Sequence, residues 1–193
     1  MIYLVRMRPK FRAAAVALVL VGTLSASGCA SEAPAADPTP TPRATPLFAS
    51  DEEALAAAEE AYAAYLAVTD EIFADGGKHP ERLLEVATQE VLDAQREGYT
   101  TAAENGWQGI GSTRLDSVSL EQYDPTNSQS MVSIYGCVDL ANVDVVDSSG
   151  VSVVSPTRPD RAPFEITLDS SGDLSSPLIV SGERPWTGED FCV

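Results

Sequence analysis

The chain has 193 residues, with 29 Asp and Glu against 12 Lys and Arg and one His, a formal net charge of −17 at pH 7. Such a surface repels nucleic acid and anionic headgroups, so neither is expected as a charge-held partner. The lone histidine, His79, excludes a multi-histidine metal centre.

Residues 1–28 read as an export signal. Arg6, Arg8, Lys10 and Arg12 come first, no acid appears before Glu32, and the apolar run Ala13 to Leu24 follows. That run is about 12 residues long, where a spanning helix needs roughly 20. It closes on Leu24-Ser25-Ala26-Ser27-Gly28-Cys29. This segment resembles the lipobox of bacterial lipoproteins, with Ala26 at the position where the family usually has leucine. The resemblance implies cleavage before Cys29 and transfer of a diacylglyceryl group to its thiol. Palmitate-type chains would then hold the protein at the extracytoplasmic face of the bacterial cell membrane. Two acyl chains anchor stably where one binds reversibly. A cleaved, secreted product and an uncleaved anchor are the two alternatives. A start at Met7 leaves the pattern intact. Without residues 1–28 the chain keeps eight basic residues against 29 acids, a net charge of −21.

Residues 29–47 follow as the lipidated Cys29 and a Pro/Ala-rich linker, with Pro34, Pro38, Pro40, Pro42 and Pro46 among Ala, Ser and Thr. Proline favours extended polyproline II at about 3.1 Å per residue, so the linker reaches at most about 55 Å. It reads as a tether. If Cys29 is lipidated, Cys137 and Cys192 remain as an even pair, which in an exported domain reads as a disulfide. The chain-entropy model gives it roughly 4 kcal/mol. No Cys-x-x-Cys spacing suggests redox chemistry.

The folded domain is expected over residues 48–193. Ser50 and Glu53 form a capping box, and Leu55, Tyr62, Leu66, Thr69, Ile72 and Phe73 make one helical face that stops at Gly76-Gly77. A second helix is predicted from His79-Pro80-Glu81 to Asn105-Gly106. Leu84, Ala87, Val91, Ala94 and Gly98 would point inward and Glu81, Glu85, Glu90 and Glu97 outward. From Trp107 the period becomes two. Leu115 and Val118 to Leu120 suggest a first strand. Val132, Ile134, Gly136 and Val138 then mark a half-buried one. Val143 and Val145 face Val151 and Val153 across the hairpin signal Asp147-Ser148-Ser149-Gly150. The same four letters at Asp169 to Gly172 separate strands around Phe164 to Leu168 and Leu178 to Val180.

Helices followed by hairpin-linked strands imply an α+β domain. That order, the strand Tyr135-Gly136-Cys137-Val138-Asp139, the following Asp-x-x-Gly hairpin and a cysteine near the end resemble small bacterial lipoproteins of the NTF2-like, cystatin or cone-type class. The resemblance covers about residues 50–193. It implies N-terminal helices packed on a curved antiparallel sheet of about four strands, with a pocket inside the cone. Enzymes on this fold, such as ketosteroid isomerases and dehydratases, place a carboxylate in an apolar pocket to raise its pKa. The corresponding candidates are Asp70 and Asp139, with Tyr62, Tyr65, Trp107 and Tyr135 as lining.

No complete catalytic set accompanies them. His79 has no triad partners in evidence. Gly106, Gly109 and Gly111 lack the strand-helix setting of a phosphate loop. Asp144, Asp147, Asp160 and Asp169 crowd the strand loops without calcium-loop spacing and read as turn acids. No cofactor and no metal is expected. The leading expectation is a non-enzymatic, membrane-anchored module that binds an envelope protein, a polymer or a small apolar ligand. The alternatives are an isomerase or hydratase using Asp70 or Asp139, and an accessory subunit whose sheet face docks on a partner or a second copy.

Overall fold

The computed structural model describes residues 46–125, 131–173 and 175–192. Cys29, the lipobox and residues 30–45 of the linker lie outside the described residues. Phe48 is buried, its N–H donates to the Tyr123 hydroxyl at 2.9 Å, and its ring meets Tyr123 edge-on at 5.6 Å.

Helix α1 spans Asp51–Ala74. Ser50 is extended, its Oγ accepts the Glu53 N–H at 3.3 Å, and Glu53 Oε2 accepts the Ala49 N–H at 2.8 Å. Two donors at the helix start are thereby satisfied, and three acids in the first turn face its positive end. The helix leaves through Gly76 and Gly77, both left-handed. A Cβ on Gly77 would sit 2.0 Å from the Tyr99 carbonyl oxygen, so only glycine allows this approach.

The second predicted helix is two elements. A 3-10 helix covers Pro80–Glu85, and helix α2 covers Gln89–Asn105. Between them Ala87 bridges in parallel to Val180, the Thr88 N–H donates to the Val180 carbonyl and the Val180 N–H to the Val86 carbonyl, each at 2.9 Å. β-Branched Val86 and Thr88 suit this extended step better than a helical one. The break resets the helical phase. Helix α2 buries Val91, Leu92, Tyr99 and Ala102, while Ala94, Gly98 and Leu84 are exposed, contrary to the predicted stripe.

The strands are β1 (Gln108–Ile110), β2 (Arg114–Tyr123), β3 (Val132–Asp139), β4 (Asp144–Val146), β5 (Arg161–Ser170) and β6 (Leu178–Pro185). A four-stranded antiparallel sheet runs β2-β3-β5-β6, and β1 with β4 forms a separate two-stranded sheet. The domain is therefore α+β, with the four strands expected and a short extra pair. The Val145 to Val153 hairpin is present as two cross-strand backbone bonds of 2.9 Å, from Val153 N–H to Val145 and from Asp147 N–H to Val151, and a single Val146 to Ser152 bridge.

The core lies between the helices and one face of the large sheet. Tyr62, Ile72, Leu83, Ile134, Ile166, Leu168 and Val180 are fully buried there. Strand β3 is covered on both faces, where alternation predicted one. On its outer side Cys137 is bonded to Cys192 at a Cα separation of 5.6 Å, and Tyr135 meets Trp186 and Phe191 at 4.9 and 6.4 Å. The disulfide spans 55 positions and ties the chain end to an interior strand of the sheet.

Candidate functional site

Below the last turns of α1 lies a cavity of about 250 Å3. Tyr62, Tyr65, Leu66, Thr69, Asp70 and Phe73 enter it at steps of one, three and four, the face that helical spacing puts together. Val138, Phe164 and Glu183 enter from β3, β5 and β6, Gln95 from α2, and Ile110, Val143 and Val145 from the neighbourhood of the β1-β4 pair. Gly111 closes the rim in a left-handed conformation. A Cβ there would lie 1.7 Å from the Asn142 carbonyl oxygen. The walls are mainly apolar, and among the described residues no Lys, Arg or His lines them.

Glu183 is the chemical centre of this space. It lies opposite Ile166 in the β5-β6 register, on the core side. Leu178 and Val180 also face the core, so strict alternation would bring Gly182 inward and Glu183 outward. The register shifts: Val180 opposes Leu168 and Gly182 opposes Thr167, leaving Ser181 as the additional residue. This bulge turns Glu183 to the inner face. The Tyr62 hydroxyl donates to Glu183 Oε2 at 2.6 Å. Burial raises the Glu183 carboxyl above its ordinary pKa, and the Tyr62 hydrogen bond opposes that rise.

Phenols surround the carboxyl. Tyr62 and Tyr65 stack at 5.4 Å, and Gln95 Nε2 donates to the Tyr65 hydroxyl at 3.2 Å. Burial first, then the charge of Glu183, pushes the Tyr62 and Tyr65 pKa values up, and burial raises that of Tyr99. The Thr69 hydroxyl lies near Tyr65 and Tyr99 without hydrogen-bond geometry to either.

Asp70 also lines the cavity, but both its oxygens are engaged. The Thr113 N–H and hydroxyl donate to them at 2.7 Å each, so Asp70 clamps the loop between β1 and β2.

The other predicted lining residues are elsewhere. Tyr135 lies on the outer face of β3, where its hydroxyl donates to Glu121 at 2.8 Å. Strand alternation decides this: Tyr135 and Cys137 share the face opposite Ile134 and Val138. Asp139 ends β3 and accepts the Ala141 N–H at 2.8 Å, a turn role outside the cavity. Trp107 caps the exit of α2, donating its N–H to Ala102 at 2.9 Å, and does not line the cavity. His79 is an exposed left-handed residue heading the 3-10 helix, 3.2 Å from Glu81. Asp147 accepts the Ser149 and Val151 N–H groups of its turn at 2.8 and 3.0 Å.

Among the described residues no helix is long and apolar enough to cross a membrane. No family model and no curated protein sequence matches the chain. Among solved structures it is similar to the intermembrane space region of the chloroplast protein ARC6, with 12% identity and a TM-score of 0.48. That match covers 69% of this chain and 97% of the other.

Proposed function

We propose that this chain is a lipid-anchored protein of the bacterial cell envelope, of NTF2-like cone type, whose folded domain binds a small, largely apolar molecule beneath α1. The observation that carries the binding role is the cavity itself. It is open, mostly apolar, and supplied with a few converging polar groups, Glu183, Gln95 and Tyr65. Such a combination is the usual form of a ligand site. The anchor rests on the basic start, the apolar run and the Leu24 to Cys29 segment. The Cys137–Cys192 bond suits an oxidising compartment.

The test is purification of the full chain from its own membranes in mild detergent, followed by mass spectrometry of released small molecules. Repeated recovery of the same compound is the expected result. Repeated recovery of none contradicts the binding role. Cys29→Ser is expected to abolish palmitate incorporation and move the protein to the soluble fraction.

A second reading is favoured by one observation: a carboxyl with a raised pKa beside a phenol is also an acid–base pair. Glu183, and neither Asp70 nor Asp139, would be its base. Incubating the recovered compound with the protein separates the two roles. An unchanged compound supports binding, and conversion that Glu183→Gln abolishes supports catalysis.

A further inference from the structure

The cavity brings two carboxylates, Glu183 and Asp70, together with the rings of Tyr62, Tyr65, Phe73 and Phe164. Among the described residues no cationic side chain lines it. We infer that its ligand is cationic: a small apolar molecule bearing an ammonium group, seated with the nitrogen at Glu183. This deepens the reading of the cavity as a ligand site and depends on it.

A carboxylate half-buried in an apolar cavity is costly without an opposite charge. Among the described residues no opposite charge lines the cavity. Arg184, the next residue of β6, turns to the other face and pairs with Glu165. From α1, Tyr62 bonds Glu183 and Tyr65 feels its charge, from α2 Tyr99 feels it too, and Asp70 of α1 and the neutral Gln95 of α2 line the same cavity. Tyr62 donates to Oε2, and among the described residues no donor engages Oε1, so this cavity-lining carboxyl keeps one oxygen for a ligand. An ammonium nitrogen there would donate to Oε1 while its substituents rest on the aromatic faces, which attract cations. Asp70 adds long-range attraction without needing contact. An anionic ligand would meet two like charges, and a neutral one would gain no charge-assisted bond and leave Glu183 to its proton.

The raised pKa of Glu183 agrees with this geometry, since a proton takes the place of the absent cation in the empty site. Ammonium binding therefore displaces that proton and strengthens as pH rises through the titration of Glu183.

The experiment is calorimetric titration of the detergent-solubilised full chain with three probes of one skeleton: 2-phenylethylammonium, 2-phenylethanol and phenylacetate. At pH 7 the ammonium should bind about tenfold tighter than the alcohol, in line with the added strength of a charged hydrogen bond. Phenylacetate should not bind. Glu183→Gln, checked for fold by circular dichroism, should abolish the ammonium-over-alcohol preference. An alcohol that binds as tightly as the ammonium to the unaltered protein overturns the inference yet leaves the cavity a ligand site. So does a preference that survives in Glu183→Gln. Failure of all three probes to bind overturns the inference and the ligand site together.

Discussion

Glu183 and Tyr62 stand 121 positions apart in sequence and 2.6 Å apart in space. The phenol was legible: Tyr62 lies on the inward face that helical spacing defines, whereas Tyr65 fell outside the predicted stripe. The carboxylate was not, because a one-residue bulge at Ser181 reverses which side of β6 it occupies. No local pattern announces that reversal. Its burial has a thermodynamic consequence. A carboxyl whose pKa is higher folded than unfolded binds more protons in the native state. Its favourable contribution is full below the unfolded pKa and is lost as pH rises through the folded one. Glu183→Gln should therefore melt at higher temperature than the wild type at neutral pH. The gain should vanish in acid below the ordinary glutamate range. Thermal melts across that range decide it, and a pH-independent difference would contradict the account. Tyr62→Phe removes the donor to Oε2. It should cost about 1–2 kcal/mol in urea unfolding at pH 7 and push the Glu183 carboxyl further up.

At the level of elements, α1 was readable from both its cap and its face, since Ser50 and Glu53 act locally. The second helix was misread because its interruption is set from a distance. Ala87 and Thr88 leave the helix to join the edge of β6 at Val180. This phase change explains why Leu92 and Tyr99 are buried in place of Ala94 and Gly98. Asp70, a candidate base that could equally have sat at the water-facing edge of α1, lines the cavity with both oxygens engaged by Thr113. Asp70→Ala should cost about 1–3 kcal/mol, the range for charge-assisted bonds lost from a partly buried site. It should also accelerate amide exchange at Thr113. Exchange unchanged at that position would mean that the clamp is incidental.

For the whole molecule, the cysteine pairing was legible from parity once Cys29 was set aside for the anchor, whereas the reason for it is spatial. The disulfide fastens the C-terminal segment over the outer face of β3, where Tyr135, Trp186 and Phe191 meet. Cys192→Ser should cost about 2–5 kcal/mol and change tryptophan fluorescence as that segment lifts from Tyr135. A variant with unaltered melting and emission would show that the covering is held by side chains alone. Strand alternation sets Tyr135 under this segment, on the face opposite the cavity, and β6 brings Glu183 into the cavity. What the domain offers a ligand is an aromatic, apolar chamber with the half-buried Glu183 carboxyl beside Asp70, whose oxygens already hold Thr113. The most direct measurement is a carbon-13 NMR titration of the Glu183 side-chain carboxyl in the full chain, with and without 2-phenylethylammonium. The account predicts a midpoint above the ordinary glutamate value that falls when the ammonium is added. A midpoint at the ordinary value, unmoved by the probe, would contradict it.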